Sequence, residues 1–124
     1  MIINDDEVMI KIEDKLFHCA MDVTMHFISG KWKTVVLWYL CSDIRRFGEL
    51  KAKMPQITEK MLSIQLKQLE KDGLIERIVY SKKPPLKVEY TLTDFGRSLL
   101  PVIDEIARWG RQTGKDRGEI VRVN

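Results

Sequence analysis

The sequence predicts an α+β fold that is mostly α-helical. Apolar residues recur at helical spacing up to about residue 72 and again after residue 93, whereas residues 75–92 alternate with a period of two. The chain has 124 residues, of which 44% are hydrophobic and 31% charged, which is typical of a single soluble globular domain. We expect an acidic N-terminal segment over residues 1–18, a folded domain over residues 19–110 and a C-terminal tail over residues 111–124.

Three helices are predicted in the first half of the domain. The first runs from Ala20 to Ile28 and ends at Ser29-Gly30. The second, from about Trp32 to Cys41, is apolar on most sides and is expected at the centre of the core. The third is short, from about Gly48 to Met54, because Pro55 disfavours helical geometry in the residue before it.

A fourth helix is predicted directly after a tight connection. Thr58 is a suitable N-cap, and Leu62, Leu66 and Leu69 follow at helical spacing until Asp72-Gly73 ends the helix. Two helices joined by so few residues make a helix-turn-helix.

The pattern then changes to that of a β-hairpin. Ile75–Tyr80 and Lys87–Leu92 are the predicted strands, joined by the loop Ser81–Leu86. Thr93 is suited to cap a last helix, which Pro101 should start or kink. A helix-turn-helix followed by a hairpin is the winged helix-turn-helix arrangement, with the hairpin as the wing.

The helix after Thr58 has one apolar face and one polar face. The polar face suits the major groove of DNA, which admits an α-helix and exposes base edges to short polar side chains near the helix start. Lys60 and Ser63 are placed to read bases and Ile64 to contact a thymine methyl, with lysines further along to contact phosphates. The alternative is an ordinary solvated helix surface. The candidate DNA-binding residues of this helix are Thr58, Lys60, Ser63, Ile64, Lys67 and Lys71.

Further basic residues lie outside this helix. Lys82 and Lys83 are at the hairpin tip, and Arg45 and Arg46 precede the third helix. They would contact the DNA backbone and position the protein without reading sequence, although solvated turns are equally consistent with them. Residues 31–97 contain 14 Lys/Arg against 8 Asp/Glu, a net charge of +6.

The two cysteines have different predicted environments. Cys19 is expected at the start of the first helix, where the helix dipole stabilises a thiolate, so it is a candidate redox switch. The alternative is an ordinary small apolar residue. Cys41 is expected to be buried and inert. The sequence leaves open whether Cys19 and Cys41 pair with each other.

Several classes of function find no support in the sequence. His18 and His26 have no partners at chelating spacing, and no phosphate-binding loop or catalytic motif is present, so we expect no metal, no cofactor and no enzyme. No apolar run is long enough for a membrane span and the acidic N-terminus is unlike a secretion signal, so we expect a cytoplasmic protein.

A series of short motifs extends over roughly residues 19 to 110. They are Cys19, Gly30-Lys31-Trp32, Arg46-Phe47-Gly48-Glu49-Leu50, Ile57-Thr58-Glu59-Lys60-Met61-Leu62-Ser63, the run from Leu66 to Arg77, Pro84-Pro85, Val88-Glu89-Tyr90-Thr91-Leu92-Thr93, Gly96-Arg97 and Trp109-Gly110. Together these motifs resemble the HxlR-type family of winged-helix transcriptional regulators, which is related to the MarR group.

The resemblance implies a sequence-specific DNA-binding regulator that acts as a homodimer on a palindromic operator, with an unknown small-molecule or oxidant effector. Some members of the family sense electrophiles or oxidants through the cysteine that Cys19 matches. Two alternatives remain, a winged helix used only for protein contacts and a redox enzyme built around Cys19. The N-terminal segment and the last helix would form the dimer interface, in which we place Leu99, Val102, Ile103, Ile106 and Trp109.

Overall fold

A computed structural model describes residues 2–3 and 6–123, with side chains from residue 8 onward. Parts of the predicted N-terminal segment and C-terminal tail, residues 1, 4, 5 and 124, lie outside the described residues. The described helices are α1 (Ala20–Ile28), α2 (Lys33–Cys41), α3 (Phe47–Lys53), α4 (Glu59–Lys71), α5 (Asp94–Ser98) and α6 (Leu100–Arg117). The described strands are β1 (Ile2–Ile3), β2 (Asp6–Glu7), β3 (Ile10–Ile12), β4 (Lys15–Phe17), β5 (Ile75–Ser81) and β6 (Lys87–Leu92), and they form three antiparallel pairs in chain order. This architecture confirms the mostly helical α+β prediction with a hairpin wing.

The hydrophobic core surrounds α2. Val36 and Leu37 are completely buried, which confirms the predicted central place of this helix. Helix α4 and the start of β5 pack against it through buried side chains, which include Leu62, Leu66 and Ile75. The core also includes Leu40, Leu50, Met54, Ile57, Leu62, Leu66, Leu69, Leu74, Ile75, Leu92 and Ile103.

Local capping signals set both ends of α4. The Thr58 hydroxyl accepts a hydrogen bond from the Met61 amide at 3.0 Å, as its residue type predicted. At the other end Gly73 has a φ of 78°, and its amide donates to the Glu70 carbonyl at 3.0 Å. The Leu74 amide donates to the Leu69 carbonyl at 3.0 Å, which completes a Schellman motif.

The β5–β6 hairpin is joined to the segment before α3. Its register pairs Ile75 with Leu92 and Val79 with Val88, with an irregularity after Val79. On the outer edge of β6 the Tyr90 amide donates to the Arg45 carbonyl at 2.8 Å. Strand β6 is therefore hydrogen-bonded on both edges, to β5 and to the segment before α3.

The C-terminal part is two helices where the sequence predicted one. Thr93 caps α5 by accepting from the Gly96 amide at 3.0 Å, and it donates to the Gly73 carbonyl at 2.6 Å. Pro101 lies in the first turn of α6, as expected of a residue that starts a helix. Helix α6 continues to Arg117, so the predicted tail from residue 111 begins inside it. No helix among the described residues is long and apolar enough to cross a membrane.

An N-terminal hairpin, β3–β4, lies where the sequence predicts only an acidic segment. It pairs Ile10 with Phe17 and Ile12 with Lys15, and it contacts α1 through the buried Phe17 ring. The segment before α1 therefore has a structure of its own and packs on the domain.

Two predicted environments are wrong. Cys41 is exposed, because the last turn of α2 buries Leu40 and turns the following residue towards solvent. Ile103 is only 3% exposed and belongs to the core of its own chain, so it has almost no surface to offer to a dimer partner.

Candidate nucleic-acid interface

Helix α4 has the two faces that its sequence predicts. Leu62, Leu66 and Leu69 are buried to at least 99% and attach the helix to the core. The opposite face is open to solvent and includes Ile64, an apolar side chain that is 46% exposed. The lysines of the exposed face are Lys60, Lys67 and Lys71, and the exposed carboxylates Glu59 and Glu70 lie at its edge. The fold therefore presents a basic helix face with one apolar position, and the packing of the other face holds it in place.

The tight connection before α4 sets the angle of the helix-turn-helix. Met54 and Ile57 are both buried, and the Ile57 amide donates to the Met54 carbonyl at 3.2 Å. Thr58, the next residue, uses its hydroxyl oxygen to cap α4. The role that the structure shows for Thr58 is thus to begin the helix, and contact with DNA remains a prediction.

The predicted basic residues outside α4 lie in two places. Lys82 and Lys83 are exposed in the loop between β5 and β6, at the end of the hairpin away from α4. Arg45 pairs with Asp43 at 2.9 Å, an exposed contact that is weak in water. Arg46 is the N-cap of α3, and its amide donates to the Glu49 carboxylate at 3.1 Å.

The structure adds residues that sequence reasoning misses. Arg77 on β5 and Tyr90 on β6 lie opposite each other in the hairpin register. Together with Ser63, Lys67 and Glu70 they line a depression of about 380 Å³ between α4 and the hairpin. The period-two alternation of β5 is a signal for the strand, but it does not give the packing angle of the hairpin on α4.

Cys19 lies at the predicted place, the N-cap of α1, and is half-buried. Its thiol makes no capping hydrogen bond, and the nearby Asp22 carboxylate accepts from the His18 amide at 3.0 Å. Cys19 and Cys41 are both free thiols. Within residues 8–123, whose side chains are described, no three His, Cys, Asp or Glu side chains form a group able to hold a metal ion.

A second surface lies on α6. Val102, Ile106 and Trp109 recur at i, i+4 and i+7 and are exposed, Trp109 by 73%, whereas Leu99 packs partly against the core. A cavity of about 300 Å³ between α2 and α6 opens beside Ile106 and Trp38. Next to Trp109 the Glu105 carboxylate raises the pKa of the Arg108 guanidinium, first through a hydrogen bond and then through its charge. Exposed apolar side chains in a row are typical of a surface that is covered in an assembly.

The chain is similar to proteins that are named as transcriptional regulators. The sequence model of the family described as HxlR-like helix-turn-helix matches residues 27–117. The HTH-type transcriptional regulator YtcD of Bacillus subtilis (strain 168) is 48% identical over 99 residues, which cover 80% of this chain and 78% of YtcD.

Two solved structures show the same similarity. The reduced form of the redox regulator HypR has a TM-score of 0.71 and 38% identity, covering 77% of this chain and 93% of HypR. The reduced form of the transcriptional regulator YodB from B. subtilis has a TM-score of 0.65 and 34% identity, covering 76% of this chain and 92% of YodB.

Proposed function

The chain belongs to the HxlR-like helix-turn-helix family of transcriptional regulators, and from this we propose that it acts in the cytoplasm as a homodimer on a palindromic operator. The observation that supports this best is the basic, partly apolar face of α4, which the buried leucines hold outward. The relatives compared are named as regulators, and we propose a non-catalytic role for this chain as well.

In this proposal α4 lies in the major groove. Lys60 and Ser63 near its start contact base edges and the exposed Ile64 contacts a thymine methyl, because the first turns of a recognition helix approach the bases most closely. Lys67 and Lys71 contact phosphates. The two α4 helices of a dimer would lie about 34 Å apart, one turn of DNA, and would read two half-sites.

The wing and the segment before α3 extend the contact along the backbone. Lys82 and Lys83 reach the adjacent minor groove or its phosphates, where the negative potential favours a cation. Arg45 and Arg46, in the segment that is hydrogen-bonded to β6, contact phosphates as well. These contacts contribute affinity and register, and the sequence is read by α4 alone.

Binding to the DNA upstream of the protein's own gene, measured over a series of salt concentrations, tests the proposal. We expect Lys60→Ala with Lys67→Ala to weaken binding by on the order of 100-fold and to lower the log-log salt slope by about 0.9 for each phosphate that is no longer neutralised. The matched control is Lys11→Ala with Lys115→Ala, which removes the same charge from β3 and from the end of α6. Binding that is absent, or insensitive to salt, on this DNA and on a random-sequence pool would favour the protein-contact alternative.

We propose redox or electrophile sensing by Cys19 as a second function. Two similar solved structures are those of the redox regulator HypR and of YodB in its reduced form, and Cys19 lies half-buried at the start of α1. With a quinone, the Cys19 sulfur would form a bond to a ring carbon, and the thiol proton would end on one ring oxygen. The hydrogen of that ring carbon would move as a proton to the other oxygen, so that the quinone becomes a hydroquinone thioether. An adduct at the N-cap would displace α1 and change the spacing of the two α4 helices.

Treatment with a quinone tests this role. We expect one adduct on Cys19 and a loss of operator binding of more than tenfold, both abolished in Cys19→Ser. Cys41→Ser is the matched control, because Cys41 is the more exposed thiol and its modification should leave DNA binding unchanged. Loss of binding that persists in Cys19→Ser would contradict the sensor role, and repeated turnover of a thiol substrate would favour an enzyme.

A further inference from the structure

The depression between α4 and the base of the wing has an unusual lining. It is open to solvent, has a volume of about 380 Å³ and lies between one helix and two strands that are fixed to the same core. The side chains around it are Ser63, Lys67, Glu70, Arg77 and Tyr90.

Four of these side chains are hydrogen-bond donors without an acceptor. Within the part of the chain whose side chains are described, the hydroxyls of Ser63 and Tyr90 make no hydrogen bond, and the cations of Lys67 and Arg77 make neither a hydrogen bond nor an ion pair. Glu70 also lies in the depression and is not paired with either cation. Donors that converge without acceptors of their own suit an anion from outside the chain.

The backbone explains why the donors converge. Ser63 and Lys67 are one turn apart on α4, so they point to the same side of the helix. Arg77 and Tyr90 are directly opposite each other in the hairpin, so their side chains project from the same face. The helix and the hairpin thus each contribute one cation and one hydroxyl.

We propose that this depression binds one phosphodiester of the DNA backbone, at the edge of the groove that α4 enters. Arg77 and Lys67 supply the charge and Tyr90 donates to a phosphate oxygen, while Ser63 lies at the helix side of the depression and keeps its proposed contact with a base edge. Arg77, Tyr90 and Glu70 are new to the interface. The inference rests on the proposed function and adds to it an anchor that joins the recognition helix to the wing at a fixed distance.

Glu70 makes the inference testable in two directions. Arg77→Ala removes a cation from the bound phosphate, and we expect it to weaken binding about tenfold and to lower the salt slope by about 0.9 per chain. Glu70→Gln removes a repulsive charge, and we expect it to tighten binding about threefold. Both effects should be equal on operator and on random DNA, because a phosphate contact has no sequence information.

The matched controls are Arg117→Ala and Glu119→Gln, which make the same charge changes at and just after the end of α6. Tyr90→Phe keeps the ring and removes only the hydroxyl, and we expect it to weaken binding about threefold. The melting temperature of each variant, measured alongside, shows whether it is folded.

The outcomes separate the inference from the function on which it rests. If Arg77→Ala and Glu70→Gln bind DNA as the wild type does while the Lys60 and Lys67 variant is impaired, the phosphate site is wrong and the regulator stands. If neither the wild type nor any variant binds DNA, the proposed function fails. If millimolar inorganic phosphate raises the melting temperature of the wild type but not of Arg77→Ala, and DNA affinity is the same in both, the depression is a free-anion site and the DNA assignment is overturned.

Discussion

Gly96 lies where α5 crosses the chain that leaves α4. A Cβ atom placed on Gly96 would be 2.0 Å from the Leu74 carbonyl oxygen and 3.0 Å from its carbon. Both are backbone atoms, and Thr93 fixes the same place through its hydrogen bonds to the carbonyls of Gly73 and Leu74. The end of the recognition helix and the start of the C-terminal helices are thus held together by a contact that only glycine allows.

We therefore expect Gly96→Ala to be strongly destabilising. The backbone at Leu74 must move away from the core, and overpacking of this kind lowers the free energy of unfolding by about 3 kcal/mol. Gly48→Ala is the control, because its Cβ would meet nothing within 4 Å and alanine favours the helix, so we expect a gain of about 0.5 kcal/mol. Urea unfolding of both variants measures the two changes. A Gly96→Ala protein as stable as the wild type would contradict the close contact.

Residue roles were predictable where the cause is local. The Thr58 and Thr93 caps and the Gly73 turn depend on a few neighbouring residues, and the sequence identifies all three. The exposure of Cys41 and the place of Arg77 beside Lys67 depend on which way a whole helix or hairpin packs. The environment of such side chains can be predicted only from the tertiary structure. Periodicity shows which face of an element is apolar, but not which element packs against that face.

Among the elements, the β3–β4 hairpin is the one that the sequence pattern does not predict. Its strands have three residues each and an acidic turn, too short for a period-two pattern to stand out. It is held by tertiary contacts instead. The Phe17 ring packs edge-on against His26 at 5.4 Å, His26 against Phe27 at 4.9 Å, and Phe27 against Phe95 of α5 at 5.2 Å between centroids.

We expect Phe17→Ala to release this hairpin without unfolding the domain. The buried ring is the main apolar contact of the hairpin with α1, and its loss should increase amide hydrogen exchange in Ile10–Phe17 by on the order of 100-fold. Protection in α4 should be unchanged. Leu16→Ala is the control, because Leu16 is 59% exposed and should leave exchange nearly as it is. Equal effects of the two substitutions would mean that the hairpin is not held by Phe17.

At the scale of the whole molecule, the basic and apolar surfaces belong to different elements. The basic face lies on α4, and the row of Val102, Ile106 and Trp109 lies on α6. The continuation of α6 to Arg117 lengthens the helix that offers this row. One surface is therefore available for a second copy of the chain while the other is available for DNA, as a dimeric regulator requires.

Ile106→Glu tests this division. A charge in the middle of a row that loses its water in the proposed dimer opposes association, so we expect sedimentation to show a dimer for the wild type and a monomer for Ile106→Glu. The affinity for a full palindromic operator should fall by on the order of 100-fold, because the second half-site is no longer bound in the same event, while the affinity for a single half-site should be unchanged. Ile120→Glu places the same charge at an exposed isoleucine beyond α6 and should leave both properties intact. A dimeric Ile106→Glu protein with normal operator binding would show that the subunits associate through another surface. The exposed methionines of α1, Met21 and Met25, would then be the next residues to substitute.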